Sequence, residues 1–420
     1  MTGIKTTTLD NGLRIVTDTV EGMHTTALGI WVGVGTRHEH LPENGVAHMV
    51  EHMLFKGTKQ RNALQIVEEL ETVGASVNAY TSRELTSYHV HLLKEDAGLG
   101  LEVLSDMYLH SVLPDEEIER ERDVIIQEIG MNNDTPDDLI FDQYFETAFP
   151  AQAMGAPVLG REANITDMKR DMMARHIARF YTPAHSVVTA AGAVNHAQFV
   201  EQVQARLGQM PRAKAEPEQK ALYQGGECRT EKTLEQAHIV LGFEGLHRFD
   251  PDYYAVQVLS TLLGGGMSSR LFQEIREKRG LVYSIFSFHA GYQDTGQFGV
   301  YAGTGPDKLG EIMPVICEEL MKVTHAVEEI EIARAKAQMK ASTLMGLESM
   351  MTRADTLAKH MIFRDQAYDI ASQIAAIDAV SAPDLLRCAR RIFQTAQTLA
   401  ALGPVKKLES LGKIKEWMAA

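Results

Sequence analysis

The chain has 420 residues, of which 45% are hydrophobic and 23% are charged, as is typical of a globular protein of two or three domains. Its net charge of −15 argues against nucleic-acid binding, which requires a basic surface. The same charge is an ordinary aid to solubility, although an acidic cavity that attracts basic peptides is also consistent with it.

Three cysteines, Cys228, Cys317 and Cys388, lie far apart in the sequence, and no CxxC pair occurs. This pattern argues against a disulfide framework and against a cysteine-bound zinc, and it favours a reducing compartment. The first residues lack the basic and apolar regions of a signal peptide, and no run of 18 apolar residues occurs. We therefore expect a cytoplasmic protein without a membrane span.

The first half of the chain alternates predicted strands and helices. Asn11-Gly12 predicts a hairpin turn, and Asn44 suits the N-cap of a helix that runs to about Phe55. Pro114 suits the first turn of a helix that ends near Met131. The other predicted strands cover residues 26–34, 75–80, 86–92 and 186–193, and the other predicted helices cover 64–73, the stretch ending near 110, 167–180 and 196–208. Residues 211–228 contain prolines and adjacent glycines without periodicity, which predicts a linker.

The second half of the chain resembles the first. Residues 178–194 read ARFYTPAHSVVTAAGAV, and residues 389–405, which begin 211 positions later, read ARRIFQTAQTLAALGPV. Independently, EEIE occurs at 116–119 and again 212 positions later. Two matches at nearly one offset indicate an internal repeat, with a coincidence of helix–strand segments as the alternative. The repeat predicts two domains of one α+β fold on either side of the linker.

Residues 48–52 read HMVEH, an HxxEH motif. On a helix, positions i and i+4 share a face, so His48 and His52 can bind one metal ion, and Glu51 lies near the same point. Zinc in a catalytic site takes three protein ligands and keeps one position for water, whose pKa it lowers. A neighbouring carboxylate can accept the proton of that water. The motif therefore predicts a zinc site with Glu51 as the catalytic base.

The third ligand must come from another element, and the helix after Pro114 offers two carboxylates. Glu121 and Glu128 are seven residues apart and therefore lie on one face of this helix. The stretch before Glu128 predicts partial burial, where an unpaired carboxylate is costly, so we assign Glu128 as the third ligand. Glu121 is then a residue that orients a ligand or the metal-bound water. The alternative is a surface helix with solvated histidines, which the apolar neighbours of His48 and His52 disfavour.

The repeat provides an internal control for this assignment. It aligns Glu128 with Lys340 and the HxxEH helix with residues 253–263, where neither histidine recurs. Candidate ligand residues that occur in one copy of the repeat and not in the other are explained by a metal site rather than by the requirements of the shared fold. We therefore predict a zinc-binding catalytic domain at residues 1–210, a homologous domain without the metal site at residues 229–420, and one zinc ion per chain.

The motifs together resemble those of a known peptidase family. NGVAHMVEHMLFKGT, followed 76 residues after His52 by Glu128 within ERDVIIQEI, resembles the inverted-motif zinc peptidases of the pitrilysin family. LFQEIREKRGLVYS resembles the C-terminal half of the branch that contains mitochondrial processing peptidase. The resemblance spans nearly the whole chain. It implies two homologous α/β-sandwich domains, with helices packed on a mostly antiparallel sheet, that form one half of a clamshell.

The resemblance implies the same roles for the residues of the metal site. The zinc ligands would be His48, His52 and Glu128. Glu51 would be the base that activates water, and Glu121 would be an accessory acidic residue at the catalytic site.

Four further residues receive roles from the resemblance alone. Asn78 and Ala79, within NAYT, match an edge strand that receives the substrate by strand addition. Arg276 and Tyr283 match a pair that grips the substrate or assists the tetrahedral intermediate, which would make the second domain substrate-binding. The alternative for this pair is a helix-surface arginine and a core tyrosine.

A glycine run at residues 264–266, within LGGGMSSR, lacks the GxxxxGK[ST] form of a phosphate loop, so nucleotide binding is not predicted. It also fits poorly the longer glycine-rich loop of the noncatalytic partner in the processing-peptidase branch. We therefore interpret the chain as a zinc endopeptidase that cleaves peptides or unfolded, presequence-like segments in an enclosed chamber. The family resemblance implies a dimer, either a homodimer or a heterodimer with a related subunit.

Two other functions remain as alternatives. The chain would be a noncatalytic assembly subunit if it resembled the core proteins of respiratory complexes in function as well as in fold. The intact HxxEH motif and Glu128 argue against that interpretation. Zinc binding without turnover is the second alternative, and Glu51 would be dispensable in such a protein.

Overall fold

The computed structural model describes residues 3–214 and 219–419, which form two compact units. The first unit draws on Met1–Gly130, Ala156–Gln219 and Leu344–Asp369, and the second on Met131–Gly155, Lys220–Thr343 and Ile370–Ala420. Each unit therefore includes one segment from the opposite half of the sequence, which differs from the predicted contiguous division. Within the predicted linker, residues 215–218 lie outside the described part of the chain.

The secondary structure of the described residues follows the predicted alternation of strands and helices. The strands are β1 (Ile4–Thr8), β2 (Arg14–Thr19), β3 (Thr25–Val32), β4 (Ser76–Thr81), β5 (Thr86–Leu93), β6 (Ser186–Gly192), β7 (Gly226–Glu231), β8 (Ala237–Glu244), β9 (Ser284–Gly291), β10 (Gly296–Thr304) and β11 (Gln397–Gly403). The helices are α1 (Val46–Leu54), α2 (Ala63–Thr72), α3 (Ala97–His110), α4 (Asp115–Asn133), α5 (Pro136–Ala148), α6 (Glu162–Asp167), α7 (Arg170–Phe180), α8 (His196–Leu207), α9 (Tyr253–Gly264), α10 (Leu309–Lys322), α11 (Glu329–Gly346), α12 (Met350–Arg364), α13 (Ile370–Ala379), α14 (Ala382–Phe393) and α15 (Leu411–Ala419). A π-helical turn covers Phe272–Glu277.

The first unit contains a six-stranded sheet in the order β1-β2-β6-β3-β5-β4. Neighbouring strands are antiparallel except for β2 and β6, which are parallel. The predicted hairpin is confirmed, because β1 and β2 pair around a turn in which Gly12 adopts a φ of 94°, a conformation that glycine tolerates without strain. The strand order leaves β4 at one edge of the sheet.

The main core of the first unit lies on the inner face of this sheet. Leu28 and Ile30 of β3, Val90 of β5 and Met49 of α1 are fully buried there. Inward positions alternate along the strands and recur every three or four residues along α1, as the two backbone geometries require. Burying a side chain of this size contributes roughly 1.5–3 kcal/mol. The helix that carries the HxxEH motif is therefore fixed in the core.

The outer face of the same sheet is covered by α12, which comes from the second half of the sequence. This helix packs against β2, β3 and β6. Ala354 and Ala358 of α12 cluster with Trp31 of β3, whose side chain is completely buried. Small alanine side chains allow the helix to approach the large indole closely. The six-stranded sheet is thus enclosed between helices on both faces.

The second unit repeats this topology. Its sheet has the order β7-β11-β8-β10-β9, and only β7 and β11 are parallel. The order matches β2-β6-β3-β5-β4 of the first unit strand for strand. The counterpart of α12 is α5, a helix from the first half of the sequence that packs on β7, β8 and β11. The predicted repeat of one α+β fold is therefore confirmed.

The predicted helix at residues 167–180 corresponds to α7, and the structure adds a short helix, α6, directly before it. The chain between α6 and α7 is extended at Met168 and Lys169. Arg122 of α4 donates hydrogen bonds to the carbonyl groups of Ile165 at 3.2 Å and Met168 at 2.9 Å. These bonds satisfy acceptors that a helix end leaves free, so the break is stabilised by tertiary contacts rather than by local sequence.

None of the helices within residues 3–214 and 219–419 combines the length and the apolar character that a membrane crossing requires.

Candidate metal centre

The N-terminus of α1 is capped by a residue that the sequence analysis missed. The predicted cap, Asn44, does not cap the helix; the N-cap is Gly45, whose φ is 98°. The buried carboxylate of Glu39 instead accepts hydrogen bonds from the backbone N–H groups of Gly45 at 2.9 Å and Ala47 at 2.8 Å, and from the amide of Asn44 at 2.9 Å. Burial raises the pKa of Glu39 to about 7, although these hydrogen bonds oppose the shift. A buried acidic side chain therefore satisfies the donors at the start of the HxxEH helix.

The three predicted ligands converge on one point. The ligand atoms of His48 and His52 on α1 and Glu128 on α4 lie within 4.8 Å of one another. The Nε2 atom of each histidine is 3.7 Å from the same Oε2 atom of Glu128, which is too long for a hydrogen bond. Two ligands of one tetrahedral zinc lie about 3.3–3.5 Å apart, so the two nitrogens and the carboxylate oxygen fit a shared ion. Within the described residues, no other three His, Cys, Asp or Glu side chains form such a group.

The metal-free imidazole of His48 is neutral at physiological pH. Its ring is buried and lies 4.6 Å, centroid to centroid, from the ring of His52. Burial, followed by the effect of His52, lowers the pKa of His48 to about 4. A neutral imidazole keeps the lone pair that a metal requires, so His48 needs no deprotonation before it binds zinc.

Glu121 of α4 orients His52. Its Oε2 atom accepts a hydrogen bond from Nδ1 of His52 at 2.9 Å, and its Oε1 atom lies 2.6 Å from the ammonium group of Lys56. Burial disfavours the charge on Glu121, but His52 and Lys56 outweigh it and lower the pKa of this carboxyl group. The Nε2 atom of His52 is left facing Glu128, as in the carboxylate–histidine–metal arrangement of zinc proteins. Lys56 lies one helical turn beyond His52 in the sequence, a spacing that places it near the same carboxylate.

Burial and the surrounding carboxylates act in opposite directions on His52. Burial disfavours the imidazolium form, while the hydrogen bond to Glu121 and the charges of Glu128 and Glu51 favour it. The net effect in the metal-free chain is a raised pKa of His52. A cation bound between His52 and Glu128 would take the place of that proton.

Glu51 lies in a different environment from Glu121. Burial raises the pKa of Glu51, while the nearby Thr81 hydroxyl and His52 partly oppose the shift. Among the described residues, its buried Oε2 atom has no hydrogen-bond partner. A buried, unsatisfied carboxylate oxygen beside a candidate metal group is suited to accepting a proton from water.

The predicted substrate strand lies beside α1. Asn78 and Ala79 belong to β4, the edge strand of the six-stranded sheet, and this strand packs against α1. Ala79 packs against the inner core, and Thr81, two residues further along, lies near Glu51. The free side of an edge strand offers unpaired backbone N–H and C=O groups. The predicted location of Asn78 and Ala79 on an edge strand is thus observed, and their contact with substrate remains a prediction.

The second unit contains the other predicted pair. The Arg276 side chain is exposed, and its guanidinium lies over the ring of Phe272, 4.8 Å from the centroid. Tyr283 precedes β9 and is 63% exposed, so the alternative of a core tyrosine is wrong. A contribution of Arg276 and Tyr283 to chemistry at the metal remains a prediction.

The second unit has other side chains at the positions that correspond to the metal group. Val256 and Leu259 of α9, which align with His48 and Glu51, are fully buried core residues. Lys340 of α11, which aligns with Glu128, forms an ion pair with Asp378 at 2.6 Å. The first copy of the repeat thus carries the metal group, and the corresponding positions in the second serve packing and surface pairing.

Comparison with known proteins agrees with this division. Residues 14–162 match the family model described as Insulinase (Peptidase family M16), and residues 167–339 match the model described as Peptidase M16 inactive domain. The chain is 38% identical over 414 residues to an uncharacterized zinc protease of Streptomyces coelicolor. The aligned region covers 96% of this chain and 90% of that relative. The chain belongs to peptidase family M16. Another M16 relative, an uncharacterized zinc protease of Bacillus subtilis, is 34% identical over 409 residues, 97% of this chain and 100% of the relative.

Solved structures share the fold of this chain. The crystal structure of a protease from Helicobacter pylori matches with a TM-score of 0.89 at 23% identity, over 96% of this chain and 100% of that chain. A chain in the structure of Candida albicans complex III with Inz-5 bound matches with a TM-score of 0.88 at 20% identity, over 99% of this chain and 100% of that chain. These likenesses show the fold alone.

Proposed function

We propose that this M16 protein is a zinc-dependent endopeptidase. The observation that carries the proposal is the convergence of three ligand side chains, His48, His52 and Glu128, beside the half-buried carboxylate of Glu51. The names of the curated relatives, which are called zinc proteases, support the same chemistry. The donor set of two imidazoles and one carboxylate is one that zinc uses in hydrolytic enzymes.

Each residue of the site would have a distinct task. His48, His52 and Glu128 hold zinc, which when bound supplies a Lewis acid and lowers the pKa of water. Glu51 accepts a proton from the attacking water at its carboxylate and passes it to the leaving amine. Burial shifts the pKa of Glu51 upward, which makes its carboxylate a stronger proton acceptor than an exposed glutamate.

The substrate class follows from the edge strand. An extended peptide that adds to β4 would be bound through its backbone, which selects for an accessible extended conformation rather than for one sequence. Peptides and unfolded, presequence-like segments satisfy this requirement, and folded domains do not. The net charge of −15 favours basic segments. The proposal also includes cleavage within an enclosed chamber and binding of the substrate by Arg276 and Tyr283.

We also propose that the protein is a dimer, a homodimer or a heterodimer with a related subunit, in a reducing compartment such as the cytoplasm. The three cysteines are free, and Cys317 and Cys388 are buried. Free buried thiols without a disulfide framework are consistent with a reducing environment.

A noncatalytic assembly subunit is the second candidate, because the chain in complex III shares this fold over its full length. The retained metal group and the unsatisfied oxygen of Glu51 favour the enzyme. A subunit without activity has no need for a half-buried carboxylate beside three potential metal ligands.

A mixed peptide library distinguishes the two candidates. The purified protein is incubated with the library, with and without a zinc chelator, and cut sites are identified by mass spectrometry. We expect internal cleavages that disappear with the chelator and return with zinc, and strongly reduced cleavage by the Glu51→Gln variant. The proposal would be contradicted if cleavage persisted with the chelator, or if zinc-loaded wild-type protein cleaved no peptide.

A further inference from the structure

Three side chains form a row across the outer face of the first sheet. Trp31 of β3 is directly opposite Ser87 of β5, and Ser87 is directly opposite Tyr80 of β4. Residues directly opposite one another in antiparallel strands point to the same face. The ring of His89, two residues further along β5, lies on the same face, 6.2 Å between centroids from the rings of both Trp31 and Tyr80.

Asp355 of α12 lies over this row and joins its two ends. Its Oδ1 atom accepts a hydrogen bond from the Tyr80 hydroxyl at 2.5 Å and another from Nε1 of Trp31 at 3.1 Å. Its other oxygen forms an ion pair with Lys359 at 2.6 Å. Burial, followed by the charge of Asp355, raises the pKa of Tyr80, so its hydroxyl remains protonated and able to donate. Hydrogen bonds to a charged acceptor are stronger than neutral ones.

Consecutive residues of α12 attach the helix to successive strands. Arg353 forms an ion pair with Asp18 of β2 at 2.6 Å, and the carbonyl group of Ala354 accepts a hydrogen bond from Thr189 of β6 at 2.9 Å. Asp355 then reaches β3 and β4. The edge strand is thereby connected to a helix that is anchored on the interior strands.

The opposite face of β4 is the one that meets the candidate catalytic base. Side chains alternate along a strand, so Tyr80 points outward to Asp355 while Ala79 and Thr81 point inward. Ala79 packs against the inner core, and Thr81 lies near Glu51. A displacement of β4 would therefore disturb the strand that is proposed to bind the substrate.

We propose that Asp355 is a positioning residue, which holds edge strand β4 at the correct place beside the HxxEH helix through the hydroxyl group of Tyr80. This inference rests on the proposed role of β4 in binding substrate. Asp355 contacts none of the zinc ligands, so its effect is on substrate binding and not on the metal. The helix that supplies it comes from the second half of the chain, although the metal group belongs entirely to the first.

Four variants test the inference. Tyr80→Phe and Asp355→Ala remove the contact, Asp355→Asn keeps an oxygen that can accept it, and Thr189→Val removes a neighbouring hydrogen bond of the same helix without touching β4. For an extended peptide we expect Tyr80→Phe and Asp355→Ala to raise KM by about tenfold, the equivalent of one hydrogen bond to a charged group. Zinc content and kcat should change little, Asp355→Asn should recover most of the loss, and Thr189→Val should behave as wild type.

Hydrogen exchange of the amides in residues 76–81 provides a readout that does not depend on cleavage. Exchange should be faster in Tyr80→Phe and Asp355→Ala than in Thr189→Val. Exchange no faster than in Thr189→Val, or an unchanged KM in both variants, would overturn the inference. A wild-type protein that cleaves no peptide would instead contradict the proposed function, and the exchange rates would still decide whether Asp355 holds the strand.

Discussion

The surroundings of two carboxyl groups near the candidate metal centre shift their pKa values in opposite directions. Glu121 contacts His52 and Lys56, which lower its pKa despite burial, so it remains charged and can orient the imidazole. Glu51 lies among fewer polar partners, and burial raises its pKa. In many active sites with two such acidic residues, one stays charged while the other transfers the proton. We expect Glu121 to stay charged and Glu51 to transfer the proton.

The Glu51→Gln variant tests the role of the base. Glutamine is nearly isosteric with glutamate but cannot take up the proton, so we expect zinc content and melting temperature close to wild type and a kcat lower by about 10²–10⁴-fold. Steady-state peptide cleavage and metal analysis give these values. The exposed Glu68→Gln variant is the matched control. Wild-type turnover by Glu51→Gln would exclude Glu51 as the base.

The buried cap of α1 predicts a pH dependence of stability. The pKa of Glu39 is about 7 in the folded chain and 4.5 as the ordinary value, so between these values the folded state keeps a proton that the unfolded state releases. The free energy of unfolding therefore falls as the pH rises through this range, by roughly 3 kcal/mol from this group alone. Glu39→Gln lacks the titrating group and should not show this fall.

Chemical denaturation of both proteins in the presence of a chelator, from pH 4.5 to 8, checks this prediction without interference from metal binding. The neighbouring Glu43, which also raises the pKa of Glu39, is present in both proteins. Parallel stability curves for wild type and Glu39→Gln would show that Glu39 is ionised throughout the range.

The metal group could be predicted from the sequence because its geometry is local. A spacing of four residues fixes His48 and His52 on one helical face, and a spacing of seven fixes Glu121 and Glu128 on another. The cap could not be predicted in the same way. Glu39 reaches the start of α1 only because short 3-10 turns, Thr36–His38 and Leu41–Glu43, fold back towards it, and no periodicity encodes that path.

At the scale of elements, α4 contributes two residues to the site, seven positions apart. It places Glu128 among the ligands and Glu121 behind His52. Replacing a carboxylate that orients a metal-bound histidine weakens metal binding by about 10–100-fold in comparable sites. We expect this loss of zinc affinity in Glu121→Gln, measured by competition with a chelator. The Glu119→Gln variant, an exposed position on the same helix, should bind zinc as wild type does, and equal affinity in both variants would contradict the role of Glu121.

The strands and most helices could also be predicted, since alternation and helical periodicity are properties of the sequence. The exchange of α5 and α12 between the two units could not. The pattern of Met350, Ala354, Leu357 and Ala358 indicates that one face of α12 is buried, but it contains no information about which sheet covers that face. The repeat itself makes the ambiguity worse, because the two sheets have the same topology and can receive the same kind of helix.

At the scale of the whole molecule, this exchange means that neither half of the sequence contains a complete unit. A fragment Met1–Met210 lacks α12, and its α5 lacks the strands on which it packs. We expect its single tryptophan, Trp31, to be exposed and its emission shifted to longer wavelength. The full-length Trp417→Phe protein, in which Trp31 is also the sole tryptophan, is the matched control and should show buried emission. Identical spectra would show that the first half folds without α12.

We propose that one zinc ion, held by His48, His52 and Glu128, makes this M16 chain a peptidase. Titration of the metal-free protein with zinc, followed by the rate of peptide cleavage, measures this dependence. We predict no cleavage without metal and a linear increase that reaches its plateau at one zinc ion per chain, because only the first unit carries the ligand group among the described residues. Cleavage by the metal-free protein, or a plateau at two zinc ions per chain, would contradict the claim.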